Sequence, residues 1–112
     1  MEIKIDGIEY VPKQEELITQ KIIVKTIKWG KTADKMINWV EAKEWCAEQG
    51  GRLPTRLELL QAYIDKVEGF KADYYWSSTE YNTYNAWGQS FDTGYQASYT
   101  KADASYVRCV FE

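Results

Sequence analysis

The 112-residue chain predicts one α+β domain, with two helices packed on short antiparallel sheets behind an N-terminal β-hairpin. The apolar period changes to helical near Asp34, and a glycine pair at Gly50-Gly51 is followed at once by a capped second helix. Short aromatic strands and polar turns then run from Gly69 to the end. A chain of this length forms a single core, burying roughly two thirds of the surface that its unfolded form exposes.

The elements follow in order. Glu2 to Pro12 reads as two short strands around Asp6-Gly7, because Ile3 and Ile5 alternate with charged residues and Asp-Gly readily takes the positive φ of a hairpin. Lys13 to Glu16 is a turn or a short helix. The β-branched run over residues 17 to 29, with Ile18, Ile22, Ile23, Val24, Ile27 and Trp29, is expected to be strand. From Asp34, the residues Met36, Trp39, Val40, Cys46 and Ala47 share a stripe at helical spacing, with Lys35, Glu41, Glu44 and Glu48 mostly opposite.

Gly50-Gly51 ends that first helix. Pro54 cannot extend it, and Thr55 with Glu58 forms a capping box for the second, whose buried face is expected to be Leu57, Leu60, Tyr63, Ile64 and Val67. Strands are expected at Tyr75 to Ser78, Trp87 to Phe91, Tyr95 to Tyr99 and Tyr106 to Phe111, with a hairpin turn at Asp92-Thr93-Gly94. In the last strand one of two alternating sets, Val107, Cys109 and Phe111 or Tyr106, Arg108 and Val110, should face the core. No linker or repeat divides the chain.

Composition narrows the function. The net charge is −3, and acidic and basic residues are interspersed without a basic stripe, so nucleic acid is not an expected partner. No apolar run approaches bilayer length, and the first six residues lack the charged and apolar regions of a signal peptide, so the chain is expected to stay in the cytoplasm where it is made unless it leaves inside a larger assembly. There is no histidine, which removes Ser-His-Asp and Cys-His nucleophile systems and the commonest zinc ligand. No catalytic residue, metal or cofactor is expected. Glu41, Glu44 and Glu48 read as a solvated helix face, and Glu58 is explained by its cap.

Aromatic residues make up 15% of the chain, with nine Tyr and five Trp, more than a small core needs, so some rings should lie outside. Residues 79 to 99 mix such rings with amides and hydroxyls, the combination that suits recognition and stacking on sugars. The candidate ligand-binding residues are Tyr75, Glu80, Asn82, Tyr84, Asn85, Gln89, Tyr95, Gln96 and Tyr99, while Trp76, Trp87 and Phe91 are expected in the core.

The strings Trp39-Val40-Glu41-Ala42-Lys43-Glu44-Trp45-Cys46, Gly50 to Thr55, Tyr75 to Thr79 and Tyr106 to Val110 resemble the DUF1566, or Lcl C-terminal, branch of the C-type-lectin-like fold. That branch is related in fold to formylglycine-generating-enzyme-like and phage tropism-determinant domains. The resemblance spans residues 29 to 112 and leaves 1 to 28 as a hairpin and strand that dock the domain on a larger particle or mediate self-association. It implies a non-enzymatic binding module, a phage virion component that recognises a bacterial surface protein or glycan, or that contacts another virion protein. An intracellular phage factor that binds a host protein, or a minimal formylglycine-generating-enzyme-like enzyme, is the alternative. The calcium-lectin signatures Glu-Pro-Asn, Gln-Pro-Asp and Trp-Asn-Asp are absent, so recognition without calcium is expected. The resemblance also gives Cys46 and Cys109 as a bridge, which in the chain-entropy model stabilises by ~4 kcal/mol. In a reducing compartment they stay free thiols packed side by side, and a redox or copper site is the functional alternative.

Overall fold

The computed structural model describes residues 27–112. The expected hairpin at Glu2 to Pro12, the Lys13 to Glu16 turn and most of the 17 to 29 run lie outside them. Within them the chain is α+β, with two helices and two small antiparallel sheets in the order β1 (Lys28–Thr32), α1 (Trp39–Glu48), α2 (Arg56–Ile64), β2 (Tyr74–Glu80), β3 (Asn85–Ser90), β4 (Gln96–Thr100) and β5 (Arg108–Phe111). No helix among the described residues is long and apolar enough to cross a membrane.

The first and last strands pair, with Lys28 opposite Phe111 and Trp29 opposite Val110, while β2, β3 and β4 form a meander in that order. Residues 34 to 37, expected at the head of the first helix, lie instead in a segment tied to the chain before β5: Ala33 N–H donates to Val107 O and Ile37 exchanges both backbone bonds with Ser105. The helix therefore starts late, at Trp39. Asn38 caps it, its side chain accepting from Glu41 N–H while the Glu41 carboxylate accepts from Asn38 N–H. Gly50, at φ +86°, closes its far end, where Gly50 and Gly51 donate back to Ala47 O and Cys46 O.

Thr55 and Glu58 close the second capping box, as the sequence predicts. The buried face of α2 does not follow. Leu59 and Ala62 are buried, whereas Leu57 is 71% exposed and Ile64 is 59% exposed, with Leu60 and Tyr63 half-buried. The sequence Arg-Leu-Glu-Leu-Leu-Gln-Ala-Tyr-Ile carries apolar residues on more than one side, and periodicity alone cannot choose between them.

The core gathers Ala33, Trp39, Ala42, Cys46, Leu53, Trp76, Ala86, Val107 and Cys109. Cys46 of α1 is bonded to Cys109 of β5, with Cα atoms 5.5 Å apart, at the centre of that cluster. Trp76 and Trp39 satisfy their indole N–H groups on Ile37 O and Ser77 O. Around β5 both faces are covered rather than one, since Cys109 and Val110 within it and Val107 just before it are all buried. Arg108, on the side of Val110, reaches Gly30 O and Glu68 O and lies over the Phe70 ring. A second aromatic cluster joins the sheets to the turn after α2: Phe70 and Phe91 stack at 3.8 Å, and Tyr75 meets both edge-on. Phe91 and Trp87, expected in the core, are only half-buried; Trp87 carries the Arg56 guanidinium 3.6 Å above its ring.

Candidate functional site

The expected ligand-binding residues separate into three groups, one buried and two at opposite ends of β3, which its six residues hold roughly 17 Å apart at a rise of ~3.4 Å per residue. One group sits inside. Tyr75 and Gln89 are fully buried, and their polar atoms are spent within the domain: Tyr75 Oη accepts from Lys71 N–H and shares a hydrogen bond with Thr32 Oγ1. Gln89 donates to Ser90 O and accepts from Gln96. Tyr99 is half-buried, its ring edge-on to Tyr74 at 5.0 Å. Burial and the neighbouring Tyr74 hydroxyl push its phenol above the ordinary range. Neither Tyr75 nor Gln89 is open to a ligand, and an alternating pattern misplaces them because both faces of these strands are covered here: Tyr75, Trp76 and Ser77 are all buried, as are Gln89 and Ser90.

At the β3–β4 end stand Gln96 and Tyr95. Gln96 is an internal clasp: it accepts from both Arg56 Nε and Nη2, and donates to Arg56 O and Gln89. Tyr95 is 68% exposed, beside Gly94, where an added Cβ would come within 2.5 Å of the Tyr63 ring.

The third group forms the β2–β3 turn. Asn82 Oδ1 accepts from the backbone N–H groups of Tyr84 and Asn85, an Asx turn that fixes the loop without help from a ligand. Lys101 clamps it from below: its Nζ donates to Glu80 at 2.6 Å and to Thr83 O at 2.9 Å, and lies 4.4 Å from the Trp39 ring. This contact holds the Glu80 carboxyl below its usual range. Lys101 N–H also donates to Tyr84 O, and Asn85 pairs with Thr100 across β3 and β4. The turn is therefore braced on three sides, yet Tyr84 at its tip is 76% exposed.

Between this turn and the start of α1 lies a shallow cleft of about 320 Å³ lined by Asn38, Val40, Thr83, Tyr84, Thr100, Lys101 and Ala102. Tyr84 and the exposed Val40 give it apolar walls, and the threonines, Asn38 and Lys101 give it polar groups. Its size lies at the small end of ligand sites. Helical periodicity places Val40 on the apolar stripe of α1 and Asn38 within the same helix; the missed signal is the Asn38-to-Glu41 capping box, which starts the helix at Trp39 and puts Asn38 at its cap, with Val40 exposed on the first turn. On the opposite side of the turn Tyr81, 57% exposed, meets Trp87 edge-on at 5.5 Å.

The carboxylates near these groups have structural partners. Burial pushes Glu58 up, but hydrogen bonds from Arg52 and Thr55 outweigh it and leave the carboxyl below its ordinary range; Arg52 is held correspondingly high. Among the described residues, no three of His, Cys, Asp and Glu converge as metal ligands.

The family model for a domain of unknown function, DUF8780, matches residues 29–110, and the chain belongs to that family. This overturns the DUF1566, or Lcl C-terminal, assignment, since the match is to a different family. The strings that suggested it, the Gly-Gly-Arg-Leu-Pro-Thr run above all, do local work that any such fold needs: Gly50 ends α1, and Thr55 caps α2. No curated protein matches the chain.

Proposed function

We propose that this member of the DUF8780 family is a non-enzymatic binding module that takes part of a protein or glycan into the cleft between Val40 and Tyr84, without calcium. The observation that carries the reading is the combination of a braced turn with an uncovered tip. Asn82 and Lys101 hold residues 80 to 85 in place through internal hydrogen bonds, so the backbone that carries the exposed Tyr84 is already fixed before any ligand arrives. Preorganised aromatic surface binds at little entropic cost. Thr83, Thr100 and Asn38 surround it with groups able to bond hydroxyls or peptide amides. The non-enzymatic part is supported by the carboxylates, because Glu41, Glu58 and Glu80 are committed to caps and ion pairs.

The finer architecture we propose is a C-type-lectin-like arrangement. Two features support it: the helices precede the meander of short strands, and Cys46 of α1 is joined to Cys109 of the final strand.

The test is binding of the labelled full chain to an oligosaccharide array and to intact bacterial cells. A signal lost in Tyr84→Ala, kept in Tyr95→Ala at the far end of β3 and unchanged by EDTA is expected. A signal that survives Tyr84→Ala, or that EDTA abolishes, overturns the proposal.

A further inference from the structure

We infer that the outer face of α2 is the docking surface for the chain's own segment Leu17 to Thr26. Leu57, Leu60 and Ile64 recur at helical spacing along one ridge of that helix, and the two end members are the most exposed aliphatic side chains of the described domain. An amphipathic helix ordinarily turns such a stripe inward. Here the inward positions are taken by Leu59 and Ala62, so the second stripe has no described residue over it.

The size of the stripe selects the occupant. Three aliphatic side chains fall far short of the roughly 800 Å² per partner that a stable complex between separate molecules buries. A segment of the same chain needs much less, because the covalent link replaces bimolecular association with a local concentration on the order of millimolar.

The sequence supplies a matching segment. Residues 17 to 26 read Leu-Ile-Thr-Gln-Lys-Ile-Ile-Val-Lys-Thr: five aliphatic side chains and two lysines, with no acid. The border of the α2 stripe carries exposed Asp65 and, beyond the exposed Lys66, exposed Glu68, so its acids outnumber its one lysine and are opposite in sign to Lys21 and Lys25. Reach is also satisfied. The segment joins β1, and β1 is held against the turn that follows α2: Thr32 Oγ1 donates to Gly69 O, Arg108 links Gly30 O to Glu68 O, and the Trp29 ring meets Phe70 at 5.2 Å. Ten extended residues cover roughly 33 Å. The nine residues of α2 rise only about 13.5 Å.

Hydrogen–deuterium exchange of the full chain tests this, followed by mass spectrometry of peptides covering 17 to 26, 57 to 64 and 74 to 111. In the wild type the first peptide should be protected, and Leu57→Ser/Ile64→Ser should speed its exchange by about tenfold or more while 74 to 111 is unchanged. Ile22→Ser/Ile23→Ser, outside the described residues, should speed exchange in 57 to 64. Unprotected 17 to 26 in the wild type, or protection indifferent to both variants, would overturn the inference. So would protection that rises with protein concentration alongside a dimer mass in light scattering, since the occupant would then be a second copy. None of these residues lines the Tyr84 cleft, so the two proposals fail separately.

Discussion

Glu58 shows how much one side chain can do at a helix start. Its carboxylate accepts from Thr55 N–H at 2.8 Å and from Arg52 Nη1 and Nη2 at 2.9 Å each, while Arg52 also reaches Glu112. Because the folded carboxyl lies below its ordinary value, the stability it lends is fully present above the unfolded value of about 4.3 and is lost as pH falls through the folded one. Thermal melts of Glu58→Gln should therefore show a shallower acid limb below about pH 4.3, with a loss on the order of 1 kcal/mol at neutral pH. Gly94 makes a second residue-scale prediction. It sits at φ +83° with the Tyr63 ring against its Cα, so Gly94→Ala should cost about 1–3 kcal/mol in chemical denaturation, whereas Gly50→Ala, with open space around it, should cost less. The cap at Thr55 and the turn at Gly94 were legible in the sequence because both depend on local chemistry. Tyr75 and Gln89 were not, since their burial is decided by Phe70, Phe91 and Gln96, residues brought in from elsewhere in the fold.

At the scale of elements, existence was easier to read than orientation. The meander strands all lie close to the aromatic runs that predicted them. The head of α1 did not, because Ala33 to Ile37 found partners in Val107 and Ser105 seventy or so residues away, contacts no local pattern encodes. In α2 the two apolar stripes are equally helical, and only the tertiary fold could show that Leu59 and Ala62 face in. The link between α1 and β5 is the strongest single tie between elements. Cys46 and Cys109 are both buried, and the loop between them spans 63 residues, so Cys46→Ala/Cys109→Ala should lower stability by about 2–4 kcal/mol in urea denaturation. A destabilisation below about 0.5 kcal/mol would mean that the pair contributes as packed thiols do, without the cross-link.

Considered whole, the molecule keeps its rigid and its available surfaces apart. The core, the disulfide and the Phe70–Phe91–Tyr75 cluster fix the sheets, and the internal bonds of Gln96 and Lys101 fix the turns at either end of β3. Among the described residues the four most exposed large hydrophobic side chains lie at three places: Tyr84 over the cleft, Tyr95 at the opposite end, and Leu57 with Ile64 on the ridge of α2. We assign the first to an external ligand and the third to the chain itself. The sequence indicated that aromatic residues would be displayed between 79 and 99, but it merged two sites that the length of β3 keeps apart. The most direct measurement is a two-dimensional NMR titration of the full chain with whichever oligosaccharide or cell-derived protein binds it in the screen. Shift changes should concentrate at Asn38, Val40, Thr83, Tyr84 and Thr100 to Ala102, with Tyr84→Ala weakening binding by about tenfold or more. Changes centred instead on Tyr95 and Tyr63, with the cleft silent, would contradict a binding site at Tyr84.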